Sequence, residues 1–188
     1  MKKILSIVLL VSIAFFVATI QVAPALAEHQ GHEASDENNE FHQVMFRVHL
    51  TGNQQVAPVA TDAFGMATIK LVDNGTAIAF RVIACDIVNV TASHIHVGAA
   101  GSNGPVIIPF FGNQPLFSSP HGCKILAEGT RSEADLNTKA SPSIMSWNDF
   151  VKALLAGNTY INVHTKTHPI GEIRGQLVHP DKNDQGDE

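Results

Sequence analysis

The sequence predicts an all-β fold, an antiparallel Greek-key β-sandwich of about seven to eight strands with one short crossover helix. Three observations lead to this prediction. Segments of alternating apolar and polar residues recur along the chain, as expected of strands that bury one face. Turn residues separate these segments, and Asp73-Asn74-Gly75 is a strong hairpin signal. The segments do not alternate with helices, which disfavours a parallel sheet.

The predicted strands can be followed in order along the chain. Phe46, Val48 and Leu50 lie on one face of the first strand, and the next two strands flank the hairpin turn. The fourth contains two histidines, and a turn rich in glycine separates it from the fifth, an apolar segment that begins with proline. A sixth precedes the helix and the last two follow it. The eight segments are residues 41–51, 65–72, 76–84, 90–97, 105–111, 125–131, 159–164 and 171–178.

Irregular segments and one helix connect these strands. Residues 112–124 are predicted to form a long loop because they contain two prolines, and residues 137–143 form a second irregular stretch. Ser146 is the predicted N-cap of the helix, with Asp149 three residues later in a capping-box arrangement. Gly157 is the residue expected just after the helix end. The apolar positions with helical spacing are Phe150, Val151, Leu154 and Leu155.

The chain begins with the features of a secretory signal peptide. Two lysines precede an apolar run, and Ala25-Leu26-Ala27 is a small-x-small cleavage pattern. We therefore predict a signal peptide at residues 1–27; the alternative is an uncleaved membrane anchor, for which the apolar run is short. A polar, acidic leader containing histidines (28–40), one domain (41–179) and a polar tail (180–188) follow. The signal peptide predicts a secreted, periplasmic or cell-surface protein. No later segment is expected to span a membrane.

Composition narrows the range of partners. The formal net charge is −5, and the sequence contains no basic cluster. Both features argue against a nucleic-acid partner. Cys85 and Cys123 are the two cysteines, and in an exported chain a pair is most simply interpreted as one disulfide. The alternative is two thiolates that bind a metal beside His121.

Four histidines in two strand segments suggest a metal site. Side chains alternate faces along a strand, so His94 and His96 share one face, and His164 lies on the outer face of its own strand. His168 has the same parity as His164, but Pro169 places it at the strand end or in a turn. Imidazole suits copper and zinc, and neighbouring strands would let these rings share one ion. The alternative is that the rings make hydrogen bonds that fasten loops to the sheet.

Four polar side chains are expected around these histidines. Tyr160 and Asn162 share the face of His164, and Glu172 and Arg174 share a face of the last strand. In the metal interpretation they orient a ligand histidine or attract an anion. In the alternative, all four side chains are natural hydrogen-bond partners of the rings. A further alternative for Glu172 and Arg174 is a surface ion pair worth about 0–1 kcal/mol.

Nucleophilic catalysis has little support in the sequence. Ser93 adjoins His94, but neighbouring strand residues point to opposite faces and cannot form a catalytic pair there. The sequence contains no Gly-x-Ser-x-Gly elbow, Walker loop or dinucleotide fingerprint. Asn74 and Asn89 begin matches to the N-glycosylation pattern, although the first is more simply a turn. The sequence thus favours binding over catalysis.

The chain resembles the CHRD domain, the module named after chordin, over residues 41–178. In chordin this domain accompanies the binding of extracellular growth factors, whereas bacterial and archaeal relatives have no such partner. The resemblance therefore implies an exported β domain and little about chemistry. Its motifs, in order, are LTGNQQVAPV (50–59), ASHIHVG (92–98), NGPV (103–106), AGNTYINVHT (156–165) and HPIGEIRGQL (168–177).

A weaker resemblance concerns copper-zinc superoxide dismutase, also a Greek-key sandwich. His94, His96 and His164 are similar to its arrangement of a His-x-His strand and a distant strand histidine at copper, and Arg174 would correspond to its guiding arginine. The enzyme's zinc loop needs several histidines and an aspartate. Here the corresponding segment, up to residue 125, offers only His121. The resemblance therefore extends to a copper site and does not include the bridging zinc.

Three functional hypotheses follow. The first is a non-catalytic, exported domain whose surface histidines bind copper or zinc. The second is an extracellular module that binds a protein or a cell-surface polymer and whose histidines are structural. The third is a redox enzyme of the superoxide dismutase type. The sequence favours a binding domain without catalysis over an enzyme.

Overall fold

The computed structural model describes residues 44–112 and 115–179. Within them, seven antiparallel strands and one α-helix confirm the prediction of an all-β fold with a single helix. The predicted signal peptide (1–27), leader (28–40) and tail (180–188) lie outside the described residues. The elements are β1 (Met45–Thr51), β2 (Phe64–Val72), β3 (Ala77–Val97), β4 (Val106–Phe111), β5 (Phe117–Ser132), α1 (Trp147–Leu155), β6 (Thr159–Thr165) and β7 (Ile173–Leu177).

Strand β3 organises the sheet because each of its halves has a partner on both sides. The first half pairs with β2 and β5, the second half with β6 and β4, and the strand order is β2-β1-β7-β6-β3-β4. The sequence predicted two strands here, 76–84 and 90–97, but one strand of 21 residues is observed. Asp86 and Asn89 have positive φ angles (50° and 55°), and the pairing with β5 shifts register there. The predicted break is therefore a bend inside one strand.

The β2–β3 hairpin turns at the predicted residues. Asp73, Asn74 and Gly75 all have positive φ angles (51°, 55° and 81°). Asp, Asn and Gly are the residues that tolerate this backbone conformation best, which is why the tripeptide is a strong turn signal. Regular pairing resumes at once, with Val72 opposite Ala77. The hairpin prediction is confirmed.

Strand β5 occupies part of a segment that was predicted to be a loop. The loop prediction for residues 112–124 is wrong from residue 117 onward, where β5 begins. Pro120 lies where the register of the β3–β5 pairing is interrupted, so its missing N–H removes no regular ladder bond. Cys85 and Cys123 face each other across this pairing with their Cα atoms 4.0 Å apart, and they form the predicted disulfide.

The apolar core lies on one side of this sheet and is closed by α1. Ile161 and Val163 of β6 are fully buried in it, as the strand parity predicted. The helix begins at the predicted N-cap, where the Ser146 hydroxyl accepts the N–H of Asp149 (3.2 Å). Its end is followed by Gly157 with φ +77°. In the described part of the chain, no helix has the length and apolar character needed to cross a bilayer.

The opposite face of β3, β6 and β7 carries a second, polar layer. Loops that follow β1, β3 and β6 fold back over it: Gln55 donates to Asn162 (2.8 Å), and Asn162 donates to the carbonyl of Ile170 (3.1 Å). Hydrogen bonds of this kind join the loops to the covered face. The buried polar side chains of this layer are Gln55, His96, Tyr160, Asn162, Glu172 and Arg174.

Candidate metal centre

Strand pairing brings the two histidine segments together. β3 and β6 are adjacent and antiparallel, with His94 opposite Asn162 and His96 opposite Tyr160. His164 lies opposite Ala92, so it is the diagonal neighbour of His94 on the same face. The condition for a shared site, that distant parts of the sequence form neighbouring strands, is therefore met.

The three imidazoles converge on one point. One ring nitrogen from each of His94, His96 and His164 lies within 4.8 Å of the corresponding nitrogen of the other two. The ring centroid of His94 is 5.1 Å from that of His164, and His96 is 5.7 Å from both. A tetrahedral ion with bonds of about 2.0–2.1 Å places its nitrogen ligands about 3.3–3.4 Å apart. Ring nitrogens up to 4.8 Å apart must therefore approach one another by up to about 1.5 Å to bind one ion.

The hydrogen bonds of the rings determine which nitrogens are free. His96 Nδ1 is 2.9 Å from the carbonyl oxygen of Gly104, and His164 Nδ1 is 3.1 Å from that of Pro169. A carbonyl only accepts, so both Nδ1 atoms carry the proton and both Nε2 atoms keep a lone pair. His96 Nε2, His164 Nε2 and His94 Nδ1 are buried and have no hydrogen-bond partner.

Burial keeps the rings neutral. Desolvation, and secondarily the neighbouring His164 and His96, lower the pKa of His94 from 6.5 to about 4. Desolvation likewise lowers the pKa of His96 to about 4, against the opposing hydrogen bond to Gly104. Desolvation also lowers the pKa of His164. At neutral pH all three rings therefore present uncharged lone pairs, the form that binds a metal.

The histidines are less exposed than the sequence predicted. The prediction of a surface cluster on an open outer face is wrong for His96, which is only 6 % exposed. His94 and His164 are half-buried. The loops that carry Gly104 and Pro169 fold over this face and contribute the carbonyls that hold the rings. Strand parity correctly gave the face on which the rings lie but carried no information about what covers it.

A stack of three side chains lies beside the cluster. The rings of His96 and Tyr160 are nearly parallel (11°) with centroids 4.8 Å apart. The guanidinium carbon of Arg174 lies 3.5 Å from the Tyr160 centroid. The Tyr160 hydroxyl also contacts the backbone of Gly104, whose carbonyl binds His96. Tyr160 thus supports both the ring of His96 and its carbonyl partner.

The predicted partner side chains hold loops instead of bonding to the rings. Arg174 is 1 % exposed and donates to the carbonyls of Ala99 (3.3 Å) and Ser102 (2.9 Å). The Glu172 carboxylate accepts the hydroxyls of Thr61 (2.8 Å) and Thr165 (2.6 Å). The alternative prediction, a surface ion pair between Glu172 and Arg174, is wrong, because both side chains are buried and no ion pair joins them.

The family model for the CHRD domain matches residues 46–177 of the 188-residue chain. The chain belongs to the CHRD domain family. This match covers every described strand from β1 to β7 apart from the first residue of β1. Neither the comparison with curated proteins nor that with solved structures gives a match.

His168 lies apart from the cluster in this CHRD domain. It is not among the three histidines whose ring nitrogens converge, and it lines a separate cavity together with Val56, Pro169 and Ile170. Its backbone N–H donates to the Thr165 hydroxyl (3.1 Å), which fixes the turn after β6. Pro169 lies in that turn, as expected from the strand-ending effect of proline. A role of His168 as a fourth ligand stays a prediction.

Two groups of the CHRD site were not found by sequence reasoning, the carbonyls of Gly104 and Pro169. A backbone carbonyl has no signature in the side-chain pattern. One signal was available for Gly104, which ends a glycine-rich turn. A Cβ at Gly104 would collide with the Val97 carbonyl, so the turn requires glycine at this position.

A shallow cavity gives access to the histidine cluster of the CHRD domain. It has a volume of about 330 Å³ and is lined by His94 together with residues of β3, β4 and the end of β5. Arg131 is one of its walls, and its guanidinium is held by the carbonyls of Pro109 (2.8 Å) and Phe110 (3.4 Å). His94 is therefore the ligand candidate nearest to a route from solvent.

Proposed function

We propose that this CHRD domain is a non-catalytic binding domain that holds one copper or zinc ion between His94, His96 and His164. Two observations support the proposal: one ring nitrogen from each of the three histidines lies within 4.8 Å of the others, and each ring has a buried nitrogen with no hydrogen-bond partner among the described residues. Neutral imidazole is a preferred ligand of both ions, and copper(II) is the tighter binder by the general affinity order. Three protein ligands leave at least one coordination position open.

The hydrogen-bonding hypothesis accounts for one ring nitrogen of His96 and one of His164, and for neither ring nitrogen of His94. The bonds from His96 to Gly104 and from His164 to Pro169 do fasten loops to the sheet. However, a buried polar atom without a partner costs about 1–3 kcal/mol, and such atoms are uncommon. Five such side-chain atoms occur in the described residues, and three of them belong to the histidines of the cluster. A metal ion would satisfy all three at once.

Metal uptake by the protein without a histidine tag tests the proposal. We expect one equivalent of copper or zinc in isothermal titration calorimetry, and a rise in melting temperature when the ion is added. The double variant His94→Ala with His96→Ala should lose tight uptake but keep its fold by circular dichroism. The matched controls are His49→Ala and His121→Ala, since both rings are exposed and outside the cluster. Uptake that survives the double variant, or that the controls abolish, contradicts the proposal.

A separate groove favours binding of a macromolecular partner as a second candidate function. Its cavity has a volume of about 370 Å³ and lies between the loops that follow β1 and β6. Two of its apolar side chains are unusually exposed, Ile170 at 78 % and Val56 at 44 %. An extracellular protein or polymer bound there would lose affinity in Ile170→Asp and would be unaffected by the double histidine variant. Superoxide turnover by the copper-loaded protein tests the third, enzymatic hypothesis.

We also propose that the precursor is exported. The disulfide between Cys85 and Cys123 supports export, because such bonds persist in oxidising compartments. Amino-terminal sequencing of the protein from its source is expected to begin at Glu28, after the predicted cleavage pattern. A mature chain that still begins at Met1 would contradict cleavage.

A further inference from the structure

We propose that the histidine site prefers monovalent copper over divalent ions and that Arg174 sets this preference. The inference rests on the proposed function, since it concerns the ion held by His94, His96 and His164. The inference goes further in two respects: it specifies the charge state of the ion that the site favours, and it names a residue outside the ligand set that causes this preference.

The ligand set brings no negative charge to the ion. The cluster consists of three histidines, and no carboxylate or thiolate among the described residues joins them. In their neutral form, two of the rings carry the proton on Nδ1, where a carbonyl accepts it, and keep the lone pair on Nε2. No ligand therefore offsets the positive charge of the ion, and the surrounding residues have to accommodate all of it.

The coordination geometry also suits copper(I). Copper(II) favours tetragonal ligand sets, whereas copper(I), with its filled d shell, has no such preference and can be bound by three nitrogens on one sheet face.

The surroundings contain a buried positive charge. Arg174 is 1 % exposed, and its guanidinium donates to uncharged acceptors: the carbonyls of Ala99 and Ser102 and the side-chain oxygens of Asn103 and Gln176. The ion pairs of the described chain join other residues, Arg81 with Glu128 and Arg131 with Asp135. Among residues 44–112 and 115–179, no carboxylate lies within 4.0 Å of the guanidinium to neutralise it.

The acidic side chain nearest to Arg174 in the sequence, Glu172 just before β7, is otherwise engaged. Glu172 directs one carboxylate oxygen to Thr61 and the other to Thr165. These hydrogen bonds hold its charge on the loops that follow β1 and β6. Arg174 instead stacks on the far side of the Tyr160 ring, and that ring stacks on His96. The guanidinium is thus separated from a ligand ring by a single aromatic side chain.

This arrangement penalises an ion in proportion to its charge. Coulomb repulsion scales with the product of the charges and is screened less at a buried site than in water. A divalent ion therefore meets about twice the repulsion of a monovalent one at the same position. Arg174 acts here as a positioning residue that contacts the ligand set only through Tyr160.

Competition titrations with chromophoric chelators test this inference in the wild-type protein, Arg174→Gln and Arg174→Lys. The measured quantity is the ratio of copper(I) affinity to copper(II) or zinc affinity. We expect Arg174→Gln to lower this ratio about tenfold, a size typical of one partly screened charge. Arg174→Lys should retain most of the ratio, because it keeps the charge while losing the planar contact with Tyr160. A merely structural role would weaken all ions alike and leave the ratio unchanged, which would overturn the inference.

Two further outcomes separate this inference from the proposed function. A protein that binds no copper or zinc at all overturns both. A protein that binds them with a ratio independent of residue 174 overturns the inference alone. The wild-type protein provides a second test that needs no variant: its copper reduction potential should lie above that of copper in aqueous imidazole. A potential at or below that reference overturns the inference even if Arg174→Gln does not fold.

Discussion

Acidification should destabilise the metal-free domain, because its buried histidines resist protonation. The pKa of His94 and of His96 is lowered to about 4 in the fold, against 6.5 in a solvated ring. Between these values the unfolded chain binds more protons than the folded one. The stabilising contribution of the neutral rings is therefore complete above pH 6.5 and is lost as the pH falls towards 4.

The size of the loss follows from the two pKa shifts. Each pKa unit corresponds to about 1.4 kcal/mol, so the buried His96 contributes on the order of 3 kcal/mol. His94 is more exposed, and solvent screening reduces its share to roughly 1–2 kcal/mol. The free energy of unfolding should thus fall by on the order of 3–5 kcal/mol between pH 7 and pH 4.

Urea denaturation in the presence of a chelator measures this loss. Carboxylates also titrate near pH 4, so the informative quantity is the difference between the wild type and the variant His94→Gln with His96→Gln, which has no titrating ring at either position. We expect the variant to show a much flatter dependence on pH above 4. Equal slopes in the two proteins would refute the argument that these rings are buried in neutral form.

Three further predictions concern single structural features. Replacing Cys85 and Cys123 by alanine should lower the free energy of unfolding by about 3–4 kcal/mol, measured by urea denaturation, because the disulfide closes a loop across a sequence separation of 38. Gly104→Ala should weaken metal binding in calorimetry, since the added Cβ would displace the turn that holds His96, whereas Gly112→Ala adds its Cβ in open space and should change nothing. Ser146→Ala should cost about 1 kcal/mol in the same denaturation assay through loss of the N-cap.

Sequence reasoning predicted the features that follow from local periodicity and turn chemistry. The two-residue period placed Ile161 and Val163 in the core and His164 on the opposite face. The Asp73-Asn74-Gly75 turn and the Ser146 cap depend on preferences of a few adjacent residues, which the sequence displays directly. Family resemblance, spread over several motifs, was confirmed over residues 46–177.

Sequence reasoning was less successful where tertiary contacts override local signals. Residues 86–89 look like the end of a strand, but pairing with other strands on both sides carries β3 through the bend. Pro120 suggests a loop, but the register is already interrupted there, so the strand tolerates it. The exposure predicted for His96 failed for the same reason, because the loop that buries it is joined to the sheet by long-range contacts of Tyr160 and Arg174.

At the candidate site, the strands contribute the three histidines and the loops contribute the carbonyls that bind two of their rings. Strand register alone brings His94, His96 and His164 together, so the rings should stay close in any variant that keeps β3 paired with β6. The free lone pairs depend on the carbonyls of Gly104 and Pro169, which belong to loops. Substitutions in those loops should therefore change metal affinity while β3 stays paired with β6. Affinity and fold stability can then be separated experimentally in loop variants that leave all three histidines in place.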